Sequence, residues 1–287
     1  MQTVIERDPM SDVLVQLCRV NNYQQHNLLD LQAVNYREQL LKSPGKYEDP
    51  KCLNRFEYEI LSQCGEDGII EEIFRRIGTV SRFFIEFGAG NGLQNNTVSL
   101  LLKNWSGLWM ETDLANAEVI GKKFAQPLAR RQLAFKQTSV TAENVENLFR
   151  EAEVPVEFDL LSIDIDGNDY WVWKNITAFR PRVIVCEYNA RYGPELKWVM
   201  RYNPAHRWNG SCYYGASLKS LELLAASKGY CLVGCNLAGV NAFFVREDLA
   251  NDLFTNPFTS ATHFEPQRVF LQRSPIQGND FGPFESI

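Results

Sequence analysis

No run of this 287-residue chain is long and apolar enough to read as a membrane-spanning helix. The opening stretch, Met1-Gln-Thr-Val-Ile-Glu-Arg-Asp-Pro-Met10, lacks the basic-then-apolar layout of a secretory signal. There are seven cysteines but no Cys-x-x-Cys pair. Cys231 and Cys235, four apart on a predicted strand, suit neither zinc nor a disulfide. Reduced thiols and a cytoplasmic setting are therefore expected, and the sequons at Asn95, Asn175 and Asn209 read as chance matches. Positive charge is not in excess either. A formal net charge of -6 argues against a general binder of nucleic acid or of membrane surfaces. What is there, 45% apolar and 22% charged residues, suits one large folded domain with appendages.

The organising stretch is Arg82-Phe-Phe-Ile-Glu-Phe-Gly-Ala-Gly-Asn-Gly-Leu93. A short bulky apolar run bounded by glycines reads as a buried strand ending in a tight turn. Val98, Leu101 and Leu102 then recur at helical spacing. Strand, glycine turn and helix together make a nucleotide-type site, and Glu86 brings a carboxylate to the strand end where open α/β sheets bind ligands. The dinucleotide fingerprint requires G-x-G-x-x-G. Here Gly88, Gly90 and Gly92 follow G-x-G-x-G, with Leu93 in the slot of the third dinucleotide glycine. Glu86-Phe-Gly-Ala-Gly-Asn-Gly92 resembles the E/D-x-G-x-G-x-G loop of class I S-adenosylmethionine-dependent methyltransferases. A carboxylate near that loop attracts the ammonium and sulfonium of such a ligand at short range.

Around this stretch the chain alternates. An amphipathic helix marked by Leu28, Leu31, Val34 and Leu41 stops near Ser43-Pro-Gly45. Residues 1–55 are thus expected to form a helical cap, with a dimer contact as the alternative. A second helix, Ile69 to Ile77, is capped by Ser62 or Asp67 and lays Gln63 over the nucleotide pocket. Strands are predicted at Gly107–Thr112, Leu133–Thr138, Phe158–Asp164 and Val183–Glu187, with helices between them. A long helix over Ser217–Lys228 precedes Tyr230–Gly234 and Asn241–Val245, whose link is too short for a parallel crossover. The expected fold is α/β: a Rossmann-like seven-stranded sheet, parallel with a C-terminal antiparallel hairpin, plus N-terminal helices. The core domain runs over 56–250 and an extended arm over 251–287.

Seven strands in this layout are similar to the class I methyltransferase fold. Ser62-Gln-Cys-Gly-Glu-Asp-Gly-Ile69, Phe84-Ile-Glu-Phe-Gly-Ala-Gly90 and Leu161-Ser-Ile-Asp-Ile-Asp-Gly167 resemble the FkbM-type group, over roughly residues 60 to 248. The resemblance implies S-adenosylmethionine as cofactor and O-methylation of a small molecule or sugar. The cofactor-binding residues would then be Gln63, Glu86, Gly88, Gly90, Glu111, Thr138, Ser139 and Asp164. Glu111 would accept the ribose hydroxyls at the end of the second strand. Thr138 and Ser139 would lie near the adenine. N-methylation, or a non-catalytic Rossmann-like scaffold, is the alternative.

Leu160-Leu-Ser-Ile-Asp-Ile-Asp-Gly-Asn-Asp169 ends the fourth strand in acids, and Glu187-Tyr-Asn189 ends the fifth. Asp164, Asp166, Glu187 and Asn189 offer only oxygen, which suits magnesium, manganese or calcium better than zinc. This set is similar to that of metal-dependent O-methyltransferases, although Glu187 stands in place of the usual aspartate and no lysine adjoins Asp164. A cation would lower the acceptor hydroxyl's pKa. Without one, Asp164 or His206 would take the proton. The third reading is a plain polar turn with Asp169 capping the next helix. Beyond the fifth strand, Arg191 to Tyr214 mixes cations with aromatics and reads as a lid or acceptor loop, with Arg191, Arg201, Arg207 and Trp208 as its substrate contacts.

Overall fold

The computed structural model describes Gln25 and residues 27–272. Residues 273–287 of the C-terminal arm anticipated from sequence, and the first two dozen residues of the expected cap, lie outside the described residues.

A single seven-stranded sheet has the order β3-β2-β1-β4-β5-β7-β6. Its strands are β1 (Phe83–Phe87), β2 (Ser106–Glu111), β3 (Leu133–Gln137), β4 (Glu157–Ile163), β5 (Arg180–Glu187), β6 (Tyr230–Cys235) and β7 (Asn241–Arg246). β1 to β5 run parallel, while β7 pairs antiparallel with both β5 and β6. The terminal hairpin therefore inserts its second strand against β5 and leaves β6 at the edge. This is the α/β layout expected from the strand count and the short link.

The central strands are buried on both faces, and period-two alternation divides their side chains between two cores. Phe84, Trp109, Leu160 and Val183 pack under Ile69, Ile73 and Phe74 of α2 (Glu66–Ile77) and Ile120 of α4 (Leu114–Lys123). On the other face Ile85, Met110, Leu161 and Ile184 meet Phe149 of α6 (Val145–Glu151), Trp173 of α7 (Asp169–Asn175) and Leu221 of α8 (Leu218–Ser227). Burying a side chain of this size contributes about 1.5–3 kcal/mol, so the two cores are what hold the strand ends in register.

Local chemistry departs from expectation at several helix starts. Asp67 does not cap α2 but sits inside it. Its Oδ2 accepts the backbone N–H groups of Ile60, Leu61 and Ser62, and Ser62 Oγ accepts the N–H of Asp67. Asp169 likewise lies inside α7 and accepts from Ile165 and Gly167 instead of capping the helix. Ser217 does cap α8, accepting from the N–H of Ser220. Before the sheet, a helix α1 (27–41) leaves Leu28, Leu31 and Val34 exposed. The segment after it is tied down by Glu265, whose carboxylate takes Lys46, the Tyr47 hydroxyl and Arg268. No helix among the described residues is long and apolar enough to cross a membrane.

Candidate active site

The carboxyl ends of the parallel strands open into a cavity of about 800 Å³. Its walls come from the turn after β1, the ends of β2, β3 and β4, the loop before α2, the start of β7, and residues 204–208.

The glycine turn is shaped by contact with its neighbours. Gly88 has φ +67° and packs so closely on the chain leaving β4 that a Cβ there would lie 1.7 Å from the Asp164 carbonyl oxygen. Gly90, at φ +55°, has open space where its Cβ would be, and its N–H donates to Glu111 Oε2 at 2.8 Å. Glu111 Oε1 accepts from the N–H groups of Thr112 and Asp113. Three of the four or so lone-pair positions of this carboxylate are thereby occupied, and the remaining one stands on the cavity wall.

Glu86 is fully occupied from within the chain. Oε1 accepts from Asn96 N–H and Ser162 Oγ, and Oε2 from the N–H and hydroxyl of Thr97. Burial pushes its pKa up to about 7. Its side chain pins the segment between turn and α3 (Val98–Leu102), so attraction of a ligand's ammonium, expected from its position in sequence, has no free lone pair to act through.

At the β4 end the Asp169 carboxylate holds the turn by accepting from Ile165 and Gly167, and burial raises its pKa to about 6. Asp164 and Asp166 take no hydrogen bond from the described residues. Asp164, Asp166 and Glu187 each place a carboxylate oxygen within 4.8 Å of the others. Glu187 Oε2 is buried without a partner. Burial raises the pKa of both Asp164 and Glu187 well above the usual range; Asp164 is raised further by the charges of Asp166, Asp169 and Glu86, and Glu187 by those of Asp164, Asp169 and Asp166. Burial, then Glu111, raises Asp166, with His206 opposing. This is a cluster of acids short of positive charge.

Asn189 does not join that cluster. Its Nδ2 donates to the carbonyls of Cys212 and Tyr214, and its Oδ1 accepts from Arg191 N–H, so the amide holds the loop after β5 in place. In that loop Pro204, His206, Arg207 and Trp208 reach the cavity wall, whereas Arg191 and Arg201 are exposed and do not line it. Most of the loop's aromatics pack on one another or on α7. Tyr192 stacks on Trp198 at 4.3 Å, and Trp171 faces Tyr202. His206 lies against Gly167, and its Nε2 is buried without a partner.

Gln63, Gly88, Gly90, Glu111, Thr138, Ser139, Asp164, Asp166 and His206 therefore share one cavity with Glu86, Arg207 and Trp208. Sequence reasoning overlooked Asn95, Asn168 and Asn241, which also line it. A polar residue where an apolar strand begins, as at Asn241, was the available signal. From sequence, Asn95 reads as a chance sequon.

No family model matches the chain, and no curated protein does. Among solved structures it is similar to a protein from Klebsiella pneumoniae provisionally named an O-methyltransferase, with 17% identity over 78% of this chain and 98% of that one, at a TM-score of 0.44. It is also similar to the glycopeptide N-methyltransferase MtfA complexed with S-adenosyl-L-methionine, with 13% identity over 64% of this chain and 95% of that one, TM-score 0.39. A third is the METTL16 MTase domain, with 13% identity over 62% of this chain and 64% of that one, TM-score 0.39.

Proposed function

We propose that this protein is an S-adenosylmethionine-dependent methyltransferase, acting on a hydroxyl of a small molecule or sugar in the cytoplasm and assisted by a divalent cation. The observation that carries the reading is the pairing, on one cavity, of a glycine turn braced by Glu111 with the unpaired acids Asp164 and Asp166, whose carboxylates cluster with that of Glu187. Glu111 keeps one lone pair for a ribose hydroxyl, and Thr138 and Ser139 stand beside it at the β3 end, where the adenine fits.

The acids fit a hard cation: they are all oxygen, close together, and include a buried carboxylate oxygen without a donor. Asp164, Asp166 and Glu187 would hold it, and Asn189, spent on its own loop, would not. A bound cation supplies Lewis acidity that lowers the pKa of an acceptor hydroxyl. His206 Nε2, unpaired on the same cavity, is placed to accept the proton.

Calorimetric titration tests the cofactor. Binding of S-adenosylhomocysteine is expected, with a loss of about tenfold or more in Glu111→Ala, since a hydrogen bond to a charged group contributes roughly 1.5–3 kcal/mol. Turnover is expected to fall on chelation and to return with magnesium or manganese. Because the acids hold protons more tightly than usual, cation affinity is expected to rise with pH. Full turnover in metal-stripped protein would leave His206 or Asp164 as base without a cation.

A further inference from the structure

Asn95 is 7% exposed, and neither its Oδ1 nor its Nδ2 has a hydrogen-bond partner. A buried primary amide left wholly unpaired loses its hydration without return, and nearly all buried polar groups in native structures avoid this. Asn95 is one of the residues that line the large cavity, so a ligand there is the natural partner of its amide. A second unpaired acceptor, Oδ1 of Asn241, belongs to another residue of the same lining, while Asn241 Nδ2 is committed to Glu66.

We infer that Asn95, with Asn241 Oδ1 as a further acceptor, binds the zwitterionic amino-acid end of the cofactor. The inference rests on the methyltransferase reading. An amide offers what an α-amino acid needs in one group: Oδ1 accepts from the ammonium and Nδ2 donates to the carboxylate. Glu86, the acid nearest in sequence, cannot serve, because its lone pairs are filled by Asn96, Ser162 and Thr97.

Position along the cavity separates this assignment from adenine recognition, for which an amide is equally apt. The sheet order runs β3-β2-β1-β4, with Thr138 and Ser139 following β3 and Glu111 ending β2 on one flank. Asn95 belongs to the other flank, because the adjoining Asn96 is bonded through its side chain to Ser162 of β4. The nucleoside takes the first flank, and the amino-acid end takes the second.

The test compares S-adenosylhomocysteine with 5′-methylthioadenosine, which has the nucleoside and thioether but no amino acid. In Asn95→Leu the first ligand is expected to bind about tenfold or more weakly, and the second nearly as in the parent. Asn95→Asp, close to isosteric, guards against a packing defect. It keeps an acceptor for the ammonium but sets a charge against the carboxylate, so the same selective loss is expected. Equal loss of both ligands in either variant, or no loss, would overturn the assignment. Failure of the unsubstituted protein to bind either ligand would overturn the cofactor reading, and this assignment with it.

Discussion

Glu57 shows what burial does to a carboxylate that the cavity does not use. Its Oε1 accepts from Asn54 Nδ2 and Leu237 N–H, and burial pushes its pKa up to about 8. A group that holds its proton more tightly in the folded chain stabilises the fold below its unfolded pKa. That contribution fades as pH rises through the folded value. Over the window from about pH 4.5 to 8 the native state binds the extra proton, so stability falls with rising pH, by on the order of 5 kcal/mol for such a shift. Glu57→Gln mimics the protonated form and is expected to flatten this decline. Denaturant titrations of both proteins at pH 5 and pH 9 measure it, and parallel slopes would remove Glu57 as the cause. Glu86 has the same sign with a smaller window, since its pKa lies near 7. That Glu86 stands at a strand end was legible in the sequence. Its saturation by Asn96 and Thr97 was not, because it depends on how the chain leaves the glycine turn.

Among the elements, the β1 turn separates two kinds of glycine that look alike in a motif. At Gly88 the backbone carbonyl of Asp164, just past the end of β4, fills the place of a side chain, 1.7 Å from where a Cβ would stand. At Gly90 the space is open and the positive φ alone disfavours other residues. Gly90→Ala should therefore cost only about 1–2 kcal/mol, the left-handed penalty for a residue with a Cβ. Gly88→Ala adds a clash with a carbonyl that cannot rotate away, and should cost at least about 3 kcal/mol along with cofactor affinity. Thermal denaturation of the two variants, with S-adenosylhomocysteine titrated into each, compares them directly. Equal costs would mean that the chain leaving β4 yields. Strand identities came through from sequence because the core strands are short apolar runs with sharp ends. Helix starts are less legible: of the two cap candidates for α2, Ser62 accepts a first-turn N–H, whereas the carboxylates of Asp67, and of Asp169 in the polar-turn alternative, turn back to hold the preceding loop, a choice fixed by tertiary contacts.

The whole molecule gathers its functional side chains by topology: parallel strands deliver their carboxyl ends to one rim, and the irregular stretch after β5 crosses that rim. Sequence composition marks this stretch as a lid or acceptor loop, and four of its residues line the cavity. It could not tell which of its cations and aromatics face inward, since no periodicity governs a loop. In the fold, the loop is fastened by a few discrete bonds. Asn168 Nδ2 donates to the Asn203 carbonyl at 2.8 Å, and Asn168 Oδ1 accepts from Asn203 N–H at 3.3 Å. Trp171 Nε1 donates to the Met200 carbonyl, and the Tyr202 hydroxyl to Glu143. The Asn168 pair lies immediately before Pro204, His206, Arg207 and Trp208, which line the cavity, so it is the fastening nearest the cavity. Each such bond contributes about 0.5–1.5 kcal/mol net, and Asn168→Ala removes both. The local opening constant of residues 203–208 should then rise about tenfold, with the sheet unaffected. Hydrogen exchange read by mass spectrometry would show faster exchange confined to that segment and restored in part by S-adenosylhomocysteine. Unchanged exchange would shift the fastening to Trp171 and Tyr202, and faster exchange throughout the sheet would make Asn168 a pillar of the core instead.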